Sequence, residues 1–547
     1  MAEEYSSGGS EPVYGRSVEA VKDLPAEEFM RMPAAPARPD WMVTRFPVSM
    51  EEFQRLNEQA DIPDQRSAGA AEADAVDAVE DGAGGDEPDL QAMQEVFDVP
   101  EGESESEPGL LAPIMPRSFE GIPQTAWMPP DNTIAAGPNN ILVAVNTDLA
   151  GYSKFGNLQF RWANMTTLFN AVLPNNAAMF DPQVAYDHYE NRWIVTMDAR
   201  RESPEGSWIM VGVSQTGDPG GAYWVWALDA TQDGSRPTDN WADYTQLGFD
   251  TQAIYLSQNQ FKFGGGFQYT KLRILNKSEL YSGGTGSNHF IHWWDFWNLR
   301  NPDNSMAFTV QPATHFRGLG GNPDAYLINA LWPKGNTLTL WTLSNPLGYW
   351  TGSQPSLSRR SVNCRSYDLP PDAAQAGTTT RIATNDSRLL KAMYQFTGGA
   401  LRLWTCHTSR HTWRGENAAR SVVQWYEIDI PTHTVVQQNA YGRTGMYYYF
   451  PAIQTDIRRN AYVVFGRSSS TVFAQLRQTG RRLTEPPHLL QDSALVKAGE
   501  GSYTGGRWGD YFGICRDGGD NSVVWMYGEY ADTGNTWGTW MCSTRFV

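Results

Sequence analysis

The chain has 547 residues, 21 of them Trp, with 42 Lys+Arg against 61 Asp+Glu and a formal charge of −19. A chain this long can bury a core without disulfide staples. Its acidity argues against a nucleic-acid binder, which needs a basic footprint, and its 51 Gly and 12% aromatic residues are foreign to a helical bundle or coiled coil.

The charge is unevenly placed. Residues 1–110 hold 27 acidic and 7 basic side chains, a net of −20, which leaves a net of +1 for residues 111–547. The same segment has one tryptophan, Trp41. Between Ser67 and Gly109, Ala, Asp, Glu, Gly and Ser dominate. Such text buries too little apolar surface to offset its ordering entropy, so it is predicted to be disordered alone. Two short helical patches interrupt it. Leu24 to Met30 carries Pro25, Glu27 and Glu28 in its first turn. Ser49-Met50-Glu51-Glu52 forms a capping box ahead of Phe53 and Leu56. Neither is long enough to stand unsupported. Met1-Ala2-Glu3-Glu4 is acidic and no apolar stretch follows, so no Sec leader is expected. No run reaches the roughly 18 apolar residues of a membrane span. The organisation predicted is a mostly irregular acidic arm over residues 1–115 and an all-β body over 116–547.

Beyond residue 125, short apolar runs alternate with Gly, Asn, Asp and Pro turns. Ile141 to Val145, Trp193 to Met197 and Ala461 to Phe465 are such runs. Their starts align as a weak repeat. Phe180-Asp181-Pro182 to Asp187 precedes Trp193-Ile194-Val195, and Trp241-Ala242-Asp243 to Asp250 precedes Ile254-Tyr255-Leu256. Phe450-Pro451 to Asp456 precedes Tyr462-Val463-Val464, and Trp508-Gly509-Asp510 to Asp517 precedes Val523-Val524-Trp525. Pro130-Asp131-Asn132 opens the first block. A small-residue inner strand, an Asp turn and a wider apolar strand are what a blade crowded at an axis requires. The spacing, with further blades over 325–343 and 389–430, predicts a β-propeller of about seven four-stranded blades.

The closing block adds a resemblance. Arg507-Trp508-Gly509-Asp510-Tyr511-Phe512-Gly513, Trp525-Met526-Tyr527-Gly528-Glu529-Tyr530 and Trp537-Gly538-Thr539 resemble the last blade of a bacterial, mostly secreted or surface-associated propeller family. Pro129-Pro130-Asp131 with Gly137-Pro138-Asn139 looks like its opening blade. The resemblance spans about residues 125–547 and implies the fold and an extracellular setting, not a chemistry. Asp532-Thr533-Gly534-Asn535-Thr536-Trp537 is similar to the Asp-box hairpin of sialidase-like propellers, with Tyr530 where a Ser or Thr usually stands.

Asp131, Asp181, Asp243 and Asp510 recur at blade entries and are placed around one mouth of the central channel. Carboxylates converging there repel unless cations sit among them, and calcium suits oxygen ligands of this kind. The alternative is that each caps its own turn. The turns at Asp187, Asp250, Asp456 and Asp517 are expected to be more exposed and structural. Asp517-Gly518-Gly519-Asp520 resembles part of a calcium loop without its terminal Glu. Cys406, His407 and His411 bring soft ligands close in sequence but lack a fourth. Trp293, Trp294 and Trp297 form the densest aromatic run, a platform for sugar or protein, or else a packed connecting segment. Cys364, Cys406, Cys515 and Cys542 have no CxxC spacing and are read as free thiols. Cys515 with Cys542 is the pair best placed for a bridge, since both fall in one repeat. A sialidase would need three arginines converging on the substrate carboxylate. Arg381, Arg402, Arg507 and Arg516 are available, but nothing in the sequence gathers them.

Nucleophile-elbow, P-loop and dinucleotide signatures are missing. The expected function is therefore a non-catalytic propeller whose arm, residues 1–110, docks onto a protein partner or a larger assembly of its own kind. The alternatives are an extracellular glycan-binding or glycoside-hydrolysing propeller and an exported cargo with an N-terminal loading peptide.

Overall fold

The computed structural model describes residues 6–18, 55, 112–163, 165–316 and 324–547. Their strands form seven sheets of four or five strands, almost wholly antiparallel, arranged as a seven-bladed β-propeller. From the axis outward, blade 1 is Thr133–Ala136, Asn140–Val145, Asp148–Ser153 and Leu158–Trp162. Blade 2 runs Ala178–Asp187, Arg192–Glu202, Glu205–Ser214 and Tyr223–Asp229. Blade 3 runs Asn240–Phe249, Ala253–Lys262, Phe267–Asn276 and Trp293–Trp297. Blades 4, 5 and 6 begin at Gln311–Pro312, Lys391–Thr397 and Tyr447–Thr455, the regions where the sequence repeat predicts blades.

Blade 7 closes the ring. Its Gly513–Arg516, Val524–Asp532 and Thr536–Arg545 come from the end of the chain, and its outermost strand, Ile114–Glu120, comes from before blade 1. That strand runs across the boundary expected at residue 115.

Each sheet is sandwiched between two others, so both faces are buried and the strands read as continuous apolar runs. Ala461–Ser469 is buried at every position. Alternation returns only at the rim, where Ile114–Glu120 shows every second residue exposed. Twelve tryptophans are almost wholly enclosed, among them Trp193, Trp425 and Trp525.

The start of the chain belongs to the propeller rim. Ser6–Gly9 pairs antiparallel with Trp293–Trp297 as a fifth strand of blade 3, and Gly15–Val18 pairs with Tyr223–Asp229 as a fifth strand of blade 2. Glycine is required here because aromatic rings lie over the backbone. A Cβ on Gly15 would meet Trp226 Nε1 at 2.1 Å, and one on Gly9 would meet Tyr349 Cε2 at 2.6 Å. Of the two predicted helical patches, that at 24–30 lies outside the described residues. Of the second only Arg55 is described, and it is helical.

All four cysteines are free thiols. Cys515 faces Trp525 across the ladder, whereas Cys542 faces Met526, one position on. Successive positions of a strand point to opposite faces, so the two sulfurs lie on opposite sides of blade 7 with a strand between them.

Candidate functional site: the acidic channel mouth

A repeated backbone device builds the mouth. At the entry of the inner strands, Asp131, Asp181, Tyr244 and Phe450 adopt φ of 51°, 50°, 58° and 50°. The pairing register skips between Phe180 and Gln183, between Asp243 and Gln246, and between Tyr449 and Ala452. These are β-bulges, which turn a peptide out of the ladder at some local cost. The freed N–H groups find side chains of the neighbouring blade. Asp181 N donates to Asn146 Oδ1 at 2.9 Å, Tyr244 N to Asp181 Oδ2 at 3.1 Å and Phe450 N to Thr408 Oγ1 at 3.0 Å. Asp510 N donates to Asp131 Oδ1 at 2.9 Å, across the seam between blades 7 and 1.

The four predicted aspartates meet there. Oxygens of Asp131, Asp181 and Asp510 lie within 4.8 Å of one another, and so do those of Asp181, Asp198 and Asp243. Asp198, from the second strand of blade 2, and Glu529, from the second strand of blade 7, are members that the repeat motif did not mark. Asp198 is 0% exposed, Asp131 and Glu529 1%, Asp181 6% and Asp510 8%.

Three arginines face these six carboxylates, and each is partly committed. Arg507 pairs with Asp510. Arg388 forks onto Asp386 at 2.8 and 2.6 Å. Arg200 lies 2.7 Å from Glu202, with its guanidinium over the Trp241 ring. The protonation states follow from this imbalance. Burial first, then the Asp510 charge, pushes Asp131 up to about 7, despite Arg507. Burial pushes Asp198 up to about 8, and burial with Asp510 lifts Asp243 to about 6. Asp181 is raised well above the usual carboxylate range by burial and by Asp243, Asp131, Asp510 and Asp198. Asp510 goes the other way. Burial acts to raise it, but Arg507, Arg388 and the Asn385 amide at 2.6 Å together hold it below its ordinary value. One ionised and several proton-holding carboxylates share a space that can take a cation or exchange protons.

The other end of the inner strands behaves differently. Asp187, Asp250, Asp456 and Asp517 are structural, as expected, but 0–7% exposed rather than open. Asp456 Oδ1 accepts from Arg458 N at 2.8 Å and Asn460 N at 2.9 Å, while Oδ2 accepts from Asn460 Nδ2 and the Tyr462 hydroxyl. Asp517 Oδ1 accepts from Gly519 N and Asp520 N, and Oδ2 takes Lys154 and the Trp525 indole. The calcium-loop likeness at Asp517 is thus an ordinary Asx turn. Near this end Thr314–Phe316 lies parallel to Lys391–Thr397, with Phe316 stacked on His188 and Arg516 over its ring.

Other expected sites disperse. Trp293, Trp294 and Trp297 are 1%, 5% and 8% exposed, because the Ser6–Gly9 strand covers that edge, so they offer no open stacking platform. Cys406 and His407 are consecutive in a strand and point apart. Cys406 Sγ contacts Pro451 O, while His407 bonds Ser387 O and the Tyr426 hydroxyl. The four arginines do not converge. Arg507 lies at the mouth, Arg516 grips Thr455 O near the opposite end, Arg402 pairs with Asp429, and Arg381 donates to Asp372 O. At the Asp532 hairpin, Gly534 and Asn535 take positive φ, and Trp537 is buried with its indole on Trp127 O. A cleft of about 980 Å³, lined by Lys334, Cys364, Arg365, Arg410 and His411 among others, lies beside blades 4 and 5, away from the acidic mouth.

No family model matches the chain, and no curated protein matches it. Among solved structures it is similar to a Trypanosoma rangeli sialidase mutant displaying trans-sialidase activity, at 9% identity over 79% of this chain and 59% of that one, with a TM-score of 0.32. A protein of unknown function from Dyadobacter fermentans gives 7% identity over 79% and 99%, with a TM-score of 0.34. A GH43 endo-arabinanase from Bacillus licheniformis gives 13% over 55% and 94%, with a TM-score of 0.25. The matched region spans a little under three fifths of the sialidase. Identities this low say nothing of substrate.

Proposed function

We propose that this protein is a non-catalytic interaction module, a rigid propeller that presents an acidic segment to a basic protein surface. The observation that carries this reading is how that segment is held. Before it, Gly15–Val18 is paired into blade 2, and after it, Ile114–Glu120 is paired into blade 7. Residues 19–111 between these strands hold 24 acidic and 6 basic side chains. The acidic segment is therefore joined to the propeller through a paired strand on each side. Tethering raises the effective concentration of the segment's charges at the propeller surface, so the disc and the segment engage one partner together.

A tethered acidic segment gives an association that weakens with salt while the propeller's own stability hardly responds. The test replaces residues 19–111 with a flexible Gly/Ser linker and keeps both anchoring strands. The propeller should melt unchanged, and partner or self-association should be lost. Undiminished assembly by that variant overturns the reading.

The glycoside-hydrolysing alternative has one observation in its favour. Asp131 and Asp510 are neighbouring carboxylates pushed in opposite directions, the pattern of an acid and its ionised counterpart. Their burial favours a bare ion over a sugar ring. Turnover of any glycoside that is abolished in Asp131→Asn would establish the enzyme.

A further inference from the structure

We propose that the channel mouth binds one divalent cation of the calcium class between Asp131, Asp181 and Asp510, and that this ion pins the seam where the ring closes. The three carboxylates already lie within 4.8 Å of one another. They come from blades 1, 2 and 7, so a single ion would join the last blade to the first two.

A cluster of acids alone would not carry this. Glu529 supplies the second observation. Its carboxylate is 1% exposed, and among the described residues neither oxygen has a hydrogen-bond partner. It lies against Gly509, where a Cβ would meet Oε1 at 2.5 Å, and it feels the charges of Asp131 and Asp510. A buried carboxylate without a donor is costly. This one is aimed at a group of further carboxylates, an arrangement that a cation resolves and a hydrogen-bond network does not. The glycine beside it keeps that space open.

The donor set selects the ion. Every candidate ligand is a hard oxygen, which suits calcium or magnesium and not a thiophilic metal. The carboxylates come from separate blades rather than one rigid loop, and calcium tolerates the irregular six- to eight-fold shell this gives, whereas magnesium demands a near-ideal octahedron. Arg507 neutralises Asp510 on one side only and leaves Asp131, Asp181 and Glu529 without a paired base. Binding would displace the protons these groups otherwise hold.

The test uses the full chain, stripped of metal with chelator. Terbium, excited through Tyr and Trp absorption, is the first probe. The Tyr511 hydroxyl bonds Pro182 O at 2.9 Å beside Asp181, so an ion in the site lies next to an energy donor. The expected result is a saturable signal at one equivalent, displaced by CaCl2, together with a higher melting temperature in CaCl2 than in chelator. Asp181→Asn and Glu529→Gln should each weaken calcium binding about tenfold or more. Asp520→Asn, in the exposed loop after Asp517, should not change it. If a variant fails to fold, the wild-type terbium and melting measurements still decide. No calcium-displaceable signal and no rise in melting temperature overturns the site. Binding undiminished in both folded variants overturns its location, and stabilisation by MgCl2 but not CaCl2 overturns its class.

Discussion

The two ends of the inner strands present the same residue type in the same repeat with opposite outcomes. At the exit, Asp187, Asp250, Asp456 and Asp517 each give Oδ1 to N–H groups of the turn that follows, while side-chain donors such as Lys277, Tyr255, Tyr462 and Lys154 fill Oδ2. Asp250 Oδ1, for example, accepts from Gln252 N at 2.7 Å and Ala253 N at 2.9 Å. At the entry, a positive φ at both Asp131 and Asp181, with a bulge at the latter, turns the residue away from its own ladder, so Asp131 Oδ1 takes Asp510 N and Asp181 Oδ2 takes Tyr244 N from the adjoining blade. Carboxylates that look outward toward neighbours must meet one another around an axis. Capture of Oδ1 by the following turn makes an aspartate structural, and facing the adjoining blade makes it a member of a shared site.

Substitutions by Asn sharpen this contrast, since Asn keeps the shape and removes the charge. The largest effect is expected at Asp187. It holds Lys277 at 2.5 Å, and the two side chains are 0% and 3% exposed. Asp187→Asn leaves a buried ammonium without its counter-charge and should cost about 3–5 kcal/mol in chemical denaturation. Asp456→Asn turns an amide N–H₂ toward groups that are themselves donors and should cost about 2–3 kcal/mol. Asp181→Asn in chelator should instead leave stability at or slightly above wild type, because Asn, like the protonated carboxyl it replaces, brings no charge among the other carboxylates, and its amide oxygen can still accept from Tyr244 N.

The pH dependence separates the ends further. Asp131 and Asp198 have folded values of about 7 and 8 against an ordinary 3.8. The native state therefore holds more protons there than the unfolded chain, and the stability this confers is lost as pH rises through those values. His315 and His407, lowered to about 4 from 6.5, act in the reverse sense, but only between those limits. In chelator, the melting temperature should therefore fall between pH 6.5 and 8.5, and Asp131→Asn should flatten that fall. A smaller effect is expected at the rim. Gly15→Val would drive a side chain into Trp226 and should lower the melting temperature by a few degrees as the Gly15–Val18 strand detaches. Increased protease cleavage near residue 18 would report that detachment.

Much of this was readable in the chain. The seven blades were legible because each must put a small, tight strand at the axis and an apolar strand next to it, and that demand recurs at every repeat. Asp131, Asp181, Asp243 and Asp510 were legible through the same alignment. Asp198 and Glu529 were not, because they stand in second strands, where the repeat marks apolar positions and no acid; Glu529 lies inside the closing-blade motif Trp525 to Tyr530 without being singled out by it. Their signal was a lone acid in an otherwise apolar run, as in Trp193-Ile194-Val195-Thr196-Met197-Asp198. The rim strands at Ser6–Gly9 and Gly15–Val18 were illegible for a different reason. Ser-Ser-Gly-Gly has no strand preference of its own, and it pairs only because a blade edge offers unsatisfied groups and because Gly fits beneath Trp and Tyr rings. The Trp293–Trp297 run looked like a platform since its covering strand lies almost 300 residues away in sequence.

The most direct test compares Asp181→Asn with Asp456→Asn by equilibrium denaturation in chelator at pH 7.5. Asp181→Asn is expected at or above wild-type stability and Asp456→Asn clearly below it. Equal destabilisation by both would contradict it, since the entry aspartates would then be as locally satisfied as those at the exit.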